Sequence, residues 1–187
     1  MNLKYKGLFL LVSLFLTPNA NGAETIYLYK GTFSRTIHIE ELDNFKKTKK
    51  PSTKLENLLK LTNLKEKNLH NFLSYNIDVP LKTSSRLMNS TIGEVFLKRL
   101  SNIIYPNKIL DKDIGKKAIR SGIIISSYNN NETINLIDFF KAYPNKNVAI
   151  NLNTLNKTLK KVESIKELIE FYSNSPFKKL KDGSSST

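Results

Sequence analysis

The 187-residue chain contains no cysteine. It therefore has no disulfide and no thiol for lipid attachment. Its only histidines, His38 and His70, lack the H-x-x-x-H spacing of a zinc site. Hydrolysis of the α/β type needs G-x-S-x-G, in which small neighbours let a strained strand-to-helix turn present the serine oxygen. No such pentapeptide occurs, and the nearest glycine–serine pair is Gly183-Ser184 near the C-terminus. A long hydrophobic run is missing too. The N-terminal stretch "GLFLLVSLFL", Gly7 to Leu16, has 10 residues, about half of the ~20 a spanning helix requires, and Pro18 interrupts any extension.

What that stretch does have is Lys4 and Lys6 ahead of it and small or polar residues behind it. This is the layout of a secretory signal peptide over residues 1–22. A cut after Gly22 places Ala20 at the outer small-residue position, and a cut after Ala23 places Asn21 there, so the mature chain is expected to begin at Ala23 or Glu24. Export would deliver it to a periplasm, a thylakoid lumen or the extracellular space. The remaining ~160 residues can bury a core without bridges, and one domain is the default expectation.

Charge has one dominant sign. Thirty Lys plus Arg stand against 16 Asp plus Glu, a formal net charge of +14. Without Lys4 and Lys6 the balance is 28 against 16, or +12. Such a surface suits an anionic partner, and an acidic membrane surface fits an exported protein better than nucleic acid does. Lys, Asn and Ile also abound together, which low-GC codon usage produces without selection for binding. The densest basic run is Phe45 to Lys54, so Lys46, Lys47, Lys49 and Lys50 are candidate interaction residues. Phe33, Phe139 and Tyr143 are the candidate aromatic contacts, although core packing competes for them.

The carboxylates are explained locally. Glu40-Glu41 follows a strand and reads as an acidic first helical turn. Asp111 and Asp113 precede a helix as capping residues. Nothing makes these or Asp138 face one another as a hydrolytic pair needs. His38 alternates with Ile37 and Ile39 towards solvent, and His70 adjoins Leu69 on a short helix. No catalytic residue, metal ligand or cofactor site is assigned, and the chain reads as a non-enzyme.

Periodicity gives an α+β class, with short helices and a small antiparallel sheet. Ile26, Leu28, Phe33, Ile37 and Ile39 alternate around Lys30-Gly31 as a hairpin. Helical spacing follows over Glu40 to Lys47, then for Leu55, Leu58 and Leu59, and for Leu69, Phe72 and Leu73 behind a cap at Asn63. Pro80 opens a helix anchored by Leu81, Leu87 and Met88. Thr91 and Glu94 form a T-x-x-E box ahead of Ile92, Val95, Phe96, Leu100, Ile103 and Ile104, a helix that Pro106 stops. Gly115 to Tyr128 fits either a buried helix or a strand. Thr133 to Tyr143 is helical with Leu136, Ile137, Phe140 and Tyr143 inward. "NVAINL" alternates Val148, Ile150 and Leu152 as a strand joining the hairpin near 147–152. A C-terminal helical extension is expected over 153–173 and a disordered tail over 174–187.

Three segments together, "IYLYKGTFSRTIHIEELDNF", "RLMNSTIGEVFLKRLSNII" and "AIRSGIIISSYNNNETINLIDFFKAYPNKNVAINL", resemble a cyanobacterial domain of unknown function that lies N-terminal to α/β-hydrolase domains in exported proteins. The resemblance spans 24–152 and favours a helix at Gly115 to Tyr128. It also implies that Arg35 and Arg99 pair with Glu40 or Glu94. After Leu152 the 187-residue chain has 35 residues left, too few for a hydrolase domain. The resemblance thus implies a stand-alone accessory domain without catalytic residues of its own. The expected function is a non-catalytic binding module, or else a lid or activator acting in trans on a separate α/β-hydrolase or other envelope protein. A hydrolase label would then hold by association only.

Overall fold

The computed structural model describes residues 22–62, 64–109 and 111–159. The expected signal peptide, the Asn63 cap, the outer part of the C-terminal extension and the tail lie outside these residues. The first described elements are strands β1 (Thr25–Lys30) and β2 (Phe33–His38), paired antiparallel about Gly31 at φ +63°. Helix α1 (Ile39–Thr48) follows directly, with Glu40 and Glu41 in its first turn and Ile39, Leu42 and Phe45 buried. Helices α2 (Thr53–Thr62) and α3 (Glu66–Ser74) bury Leu55, Leu59 and Leu73, the faces their spacing predicts.

A short strand β3 (Ile77–Asp78), helix α4 (Leu81–Met88), helix α5 (Thr91–Leu100) and strand β4 (Ile104–Pro106) come next. Helix α6 (Lys112–Asn129) settles the ambiguous segment as helix. Strand β5 (Thr133–Ile134) pairs with β3, then α7 (Leu136–Ala142), β6 (Asn147–Asn151) and α8 (Leu152–Leu159) complete the described chain. The main sheet has the order β2-β1-β6-β4, and the fold is α+β as its sequence indicates.

The sheet is mixed rather than antiparallel throughout, because β6 runs parallel to β1. The reason lies at the strand starts. The amides of Glu24 and Thr25 both donate to the Lys146 carbonyl, at 2.9 and 3.0 Å, and the Ala23 amide donates to Phe140 O at 2.9 Å. The beginnings of β1 and β6 are thereby held side by side and must leave in the same direction. Alternation of Val148 and Ile150 fixes which face is apolar but carries no information about direction.

Two further expectations change at α5. Ser90, not Thr91, is its cap, with Oγ accepting from Gly93 N at 3.1 Å. Glu94 turns instead to α6, where it pairs with Lys116 at 2.8 Å and with Arg120. Gly93 and Leu97 are buried whereas Ile92 and Val95 face out. A Cβ on Gly93 would stand 2.0 Å from the Leu87 carbonyl oxygen, so α5 approaches α4 through its smallest residue and the stripe rotates towards solvent. Helix α5 also stops at Leu100, earlier than Pro106. Ser101 Oγ and Asn102 Nδ2 both donate to Lys98 O, and the β-branched pair Ile103-Ile104 before Tyr105-Pro106 enters an extended edge strand.

The core joins Ile26, Ile37 and Val148 of the sheet to Phe45, Leu73, Ile119, Ile137, Phe140 and Tyr143 of the helices. Gly93→Ala is expected to melt roughly 3–10 °C lower than the parent, since the clash costs more than the ~1 kcal/mol that alanine adds to a helix. Circular-dichroism melting checks this.

Candidate functional site

The hairpin register places Ile26 opposite Ile37, Leu28 opposite Arg35, and Lys30 opposite Phe33. Opposed residues of an antiparallel pair share a face, so all six lie on one side of the hairpin. Ile26 and Ile37 are buried in the core, Leu28 is half-buried, and Lys30, Phe33 and Arg35 are exposed. The apolar face of the hairpin thus runs out beyond its helical cover and ends at Phe33, whose ring is 71 % exposed. Burial of a phenylalanine normally stabilises by ~2–3 kcal/mol, so an aromatic left at a tip between two cations is unspent apolar surface.

Electrostatics at the tip are one-sided. Among the described residues neither Lys30 nor Arg35 forms an ion pair, and Arg35 donates only to the Ser34 carbonyl at 3.0 Å. The acidic residues nearest in sequence, Glu24 and Glu40, stand at the opposite end of the hairpin. The pairing of Arg35 or Arg99 with Glu40 or Glu94 does not occur; Lys116 and Arg120 occupy Glu94 instead. These bonds hold the Glu94 carboxyl below its ordinary value, Lys116 contributing first and Arg120 next.

The sequence-derived interaction residues separate into two groups. Lys46, Lys47, Lys49 and Lys50 lie at the end of α1. Lys46 O accepts a bond from His70 Nε2 at 3.1 Å, Lys47 pairs with Asp43 at 3.0 Å, and the Lys49 amide caps the helix on Phe45 O at 2.8 Å. Lys49 and Lys50 remain exposed. Phe139 and Tyr143 do not belong to a surface: Phe139 is 8 % exposed and Tyr143 0 %. They stack edge to face at 5.7 Å within the core, and burial pushes the Tyr143 phenol well above its ordinary value. Helix α6 explains this, because Gly122 brings its backbone against the Phe139 ring. Phe33 is therefore the exposed one of the three aromatics; alternation places it beside the Lys30-Gly31 turn, but its exposure is the part that periodicity does not give.

Much of the remaining polar chemistry is committed to the fold, although the buried hydroxyls of Ser126 and Tyr143 have no hydrogen-bond partner among the described residues. His38 precedes α1, with its amide donating to Glu41 at 3.3 Å and Nδ1 bonded to Thr25 Oγ1 at 3.2 Å. Asp111 caps α6 through Asp113 N at 2.8 Å. Buried Ser84 and Ser127 donate to the carbonyls of Pro80 and Val79. Among the described residues no three His, Cys, Asp or Glu side chains gather as metal ligands, and no helix is long and apolar enough to cross a membrane. An open groove of ≈ 600 Å³ between α2 and α3 is lined by Glu56, Leu59, Lys60, Leu64, Lys65 and Glu66, whose charges balance.

This architecture defines a helical α+β domain carrying a basic, aromatic-tipped hairpin. Residues 22–151 match the family described as "Alpha/beta hydrolase of unknown function (DUF1400)", and the chain belongs to that family. No curated protein and no solved structure matches it.

Asp43 joins α1 to α7 by accepting from Lys141 at 2.7 Å as well as from Lys47. Burial works to raise its carboxyl pKa, but the two lysines outweigh burial and hold it below the ordinary 3.8. A depressed carboxyl contributes stability that is present above its unfolded value and lost as pH falls through its folded value. Between pH 5 and pH 2.5 the parent is expected to lose up to about 1 kcal/mol more stability than Asp43→Asn, a modest figure because both lysines are half exposed. Urea unfolding at several pH values measures it.

Proposed function

We propose that the chain is an exported, non-catalytic binding module that docks on an anionic membrane surface through the tip of its β1–β2 hairpin. The observation that carries this reading is Phe33, exposed between Lys30 and Arg35, which have no acidic partner among the described residues. An aromatic ring enters the headgroup region while flanking cations meet anionic lipid, each basic residue adding ~1 kcal/mol near such a surface. The net charge, +12 once Lys4 and Lys6 are removed, supplies long-range attraction of the same sign. Export is supported by Lys4, Lys6 and the Gly7–Leu16 run. The non-catalytic part is supported by the lack of G-x-S-x-G and by the structural bonds that occupy His38, His70, Ser84, Ser101 and Ser127.

A second reading is favoured by the family's own description. As a member of a family described as an alpha/beta hydrolase of unknown function, the chain would serve as a lid or activator acting in trans on a separately encoded hydrolase. Its signature is stimulation of that enzyme's esterase activity by the added chain, with no activity from the chain alone.

Co-sedimentation with vesicles separates the two. The mature chain is expected to bind phosphatidylglycerol-rich vesicles at low salt, to ignore phosphatidylcholine vesicles, and to dissociate near 0.5 M salt. Phe33→Ala should weaken binding ~5–30-fold, and Lys30→Gln and Arg35→Gln about 5-fold each. Absence of binding to anionic vesicles at low salt overturns the membrane reading.

A further inference from the structure

Residues 22–25 lead into β1 along the C-terminal end of α7, and they are tied to it more closely than an approaching segment needs to be. Ala23 is 6 % exposed and its amide donates to Phe140 O at 2.9 Å. On the next residue, the Glu24 carboxylate pairs with Lys146 at 3.0 Å. On the residue before, Gly22 lies so near α7 that a Cβ there would stand 1.7 Å from the Lys141 carbonyl oxygen. Two carbonyls of the last turn of α7, those of Phe140 and Lys141, therefore converge on the Gly22–Ala23 junction.

The last carbonyls of a helix lack partners within the helix and concentrate negative partial charge. A main-chain amide offers them one N–H. An α-ammonium at the same nitrogen would offer three donors and a full positive charge. Its extra donors would point into the space that Gly22 occupies, beside the Lys141 oxygen.

We infer that the Gly22–Ala23 peptide bond is the processing site, and that the α-ammonium of Ala23 becomes the cap of α7. In the cleavage step a signal peptidase adds water across that bond. The hydroxyl goes to the Gly22 carbonyl carbon, the C–N bond breaks, and Ala23 leaves as a free amine that takes a proton. Ala20 and Gly22 supply the small residues at the outer and inner positions. The folded structure sets the order of events. With Gly22 pressed on the main chain of α7 the bond is closed to a protease, so the cut precedes closure of the fold. A cut one bond later would remove buried Ala23 and leave Glu24, a carboxylate, as the residue nearest the negative end of α7. Processing thus completes the domain: the new terminus closes α7 and aligns the start of β1 beside β6.

The inference rests on the export reading above, and its test separates the two. The full chain, Met1 to Thr187, is expressed with a bacterial export system, and the N-terminus of the purified protein is determined by intact mass. A chain beginning at Ala23 supports the assignment, and one beginning at Glu24 or elsewhere overturns it while leaving export standing. An uncut chain overturns export as well. In parallel, proteins made to begin at Ala23 and at Glu24 are compared by thermal melting. The Ala23 form is expected to melt roughly 5 °C higher, and equal melting removes the capping role.

Discussion

The arrangement of this domain depends on one carbonyl. Lys146 O receives the amides of both Glu24 and Thr25 at the point where the chain enters β1, and β6 starts from the next residue. Because the two strands are joined at their beginnings they run parallel, although the 116 residues 31–146 separate them. The connection is long enough to carry the seven helices α1 to α7 and to return β4 antiparallel on the far edge of β6. The junction also adds a second donor at the end of α7, where Phe140 O accepts from Ala23 N as well as from Tyr143 N. Loss of this contact would release both the centre of the sheet and the helix that carries Phe139, Phe140 and Tyr143 into the core.

From that constraint the functional surface follows. With β1 central and β6 and β4 on one side of it, β2 is left as an edge and the β1–β2 turn projects from the end opposite the junction. Helices cover the hairpin face at Ile26 and Ile37 and leave Lys30, Phe33 and Arg35 in solvent. Edge strands are commonly guarded by charged side chains against pairing with other chains, and exposed Arg35 on β2 fits that purpose. The exposed phenylalanine has no such structural justification. It is apolar surface that folding leaves unburied, which is why the proposed function rests on the hairpin tip rather than on the α1 lysines.

Much of the fold was legible because local and global signals agree. The hairpin follows from alternation about Lys30-Gly31, α1 from the acidic turn at Glu40-Glu41, and the start of α6 from its cap at Asp111, whereas the body of α6 fits helix or strand by periodicity and is favoured as helix by the family resemblance. What escaped depends on contacts between distant segments. The parallel direction of β6 comes from Lys146, the rotation of α5 from the Leu87 carbonyl opposite Gly93, and the burial of Phe139 from the close passage of Gly122. None of these is encoded in a window of neighbouring residues. Of the candidate site, the basic character and the aromatic candidates were legible, but spacing does not tell an aromatic at the end of a covered face from one beneath it. The α1 lysines illustrate the same limit, since Lys47 is occupied by Asp43 four residues earlier while Lys50 is free of ion pairs among the described residues.

The absence of tryptophan allows the central claim to be read at a single position. In Phe33→Trp the indole is the sole tryptophan of the protein and stands at the hairpin tip. Its emission is to be recorded with and without phosphatidylglycerol vesicles. A blue shift with increased intensity, reversed by salt, is the predicted result, since the ring leaves water for the interfacial region. Emission unchanged by vesicles to which the protein is bound would contradict the account, because the membrane would then be met by some other surface.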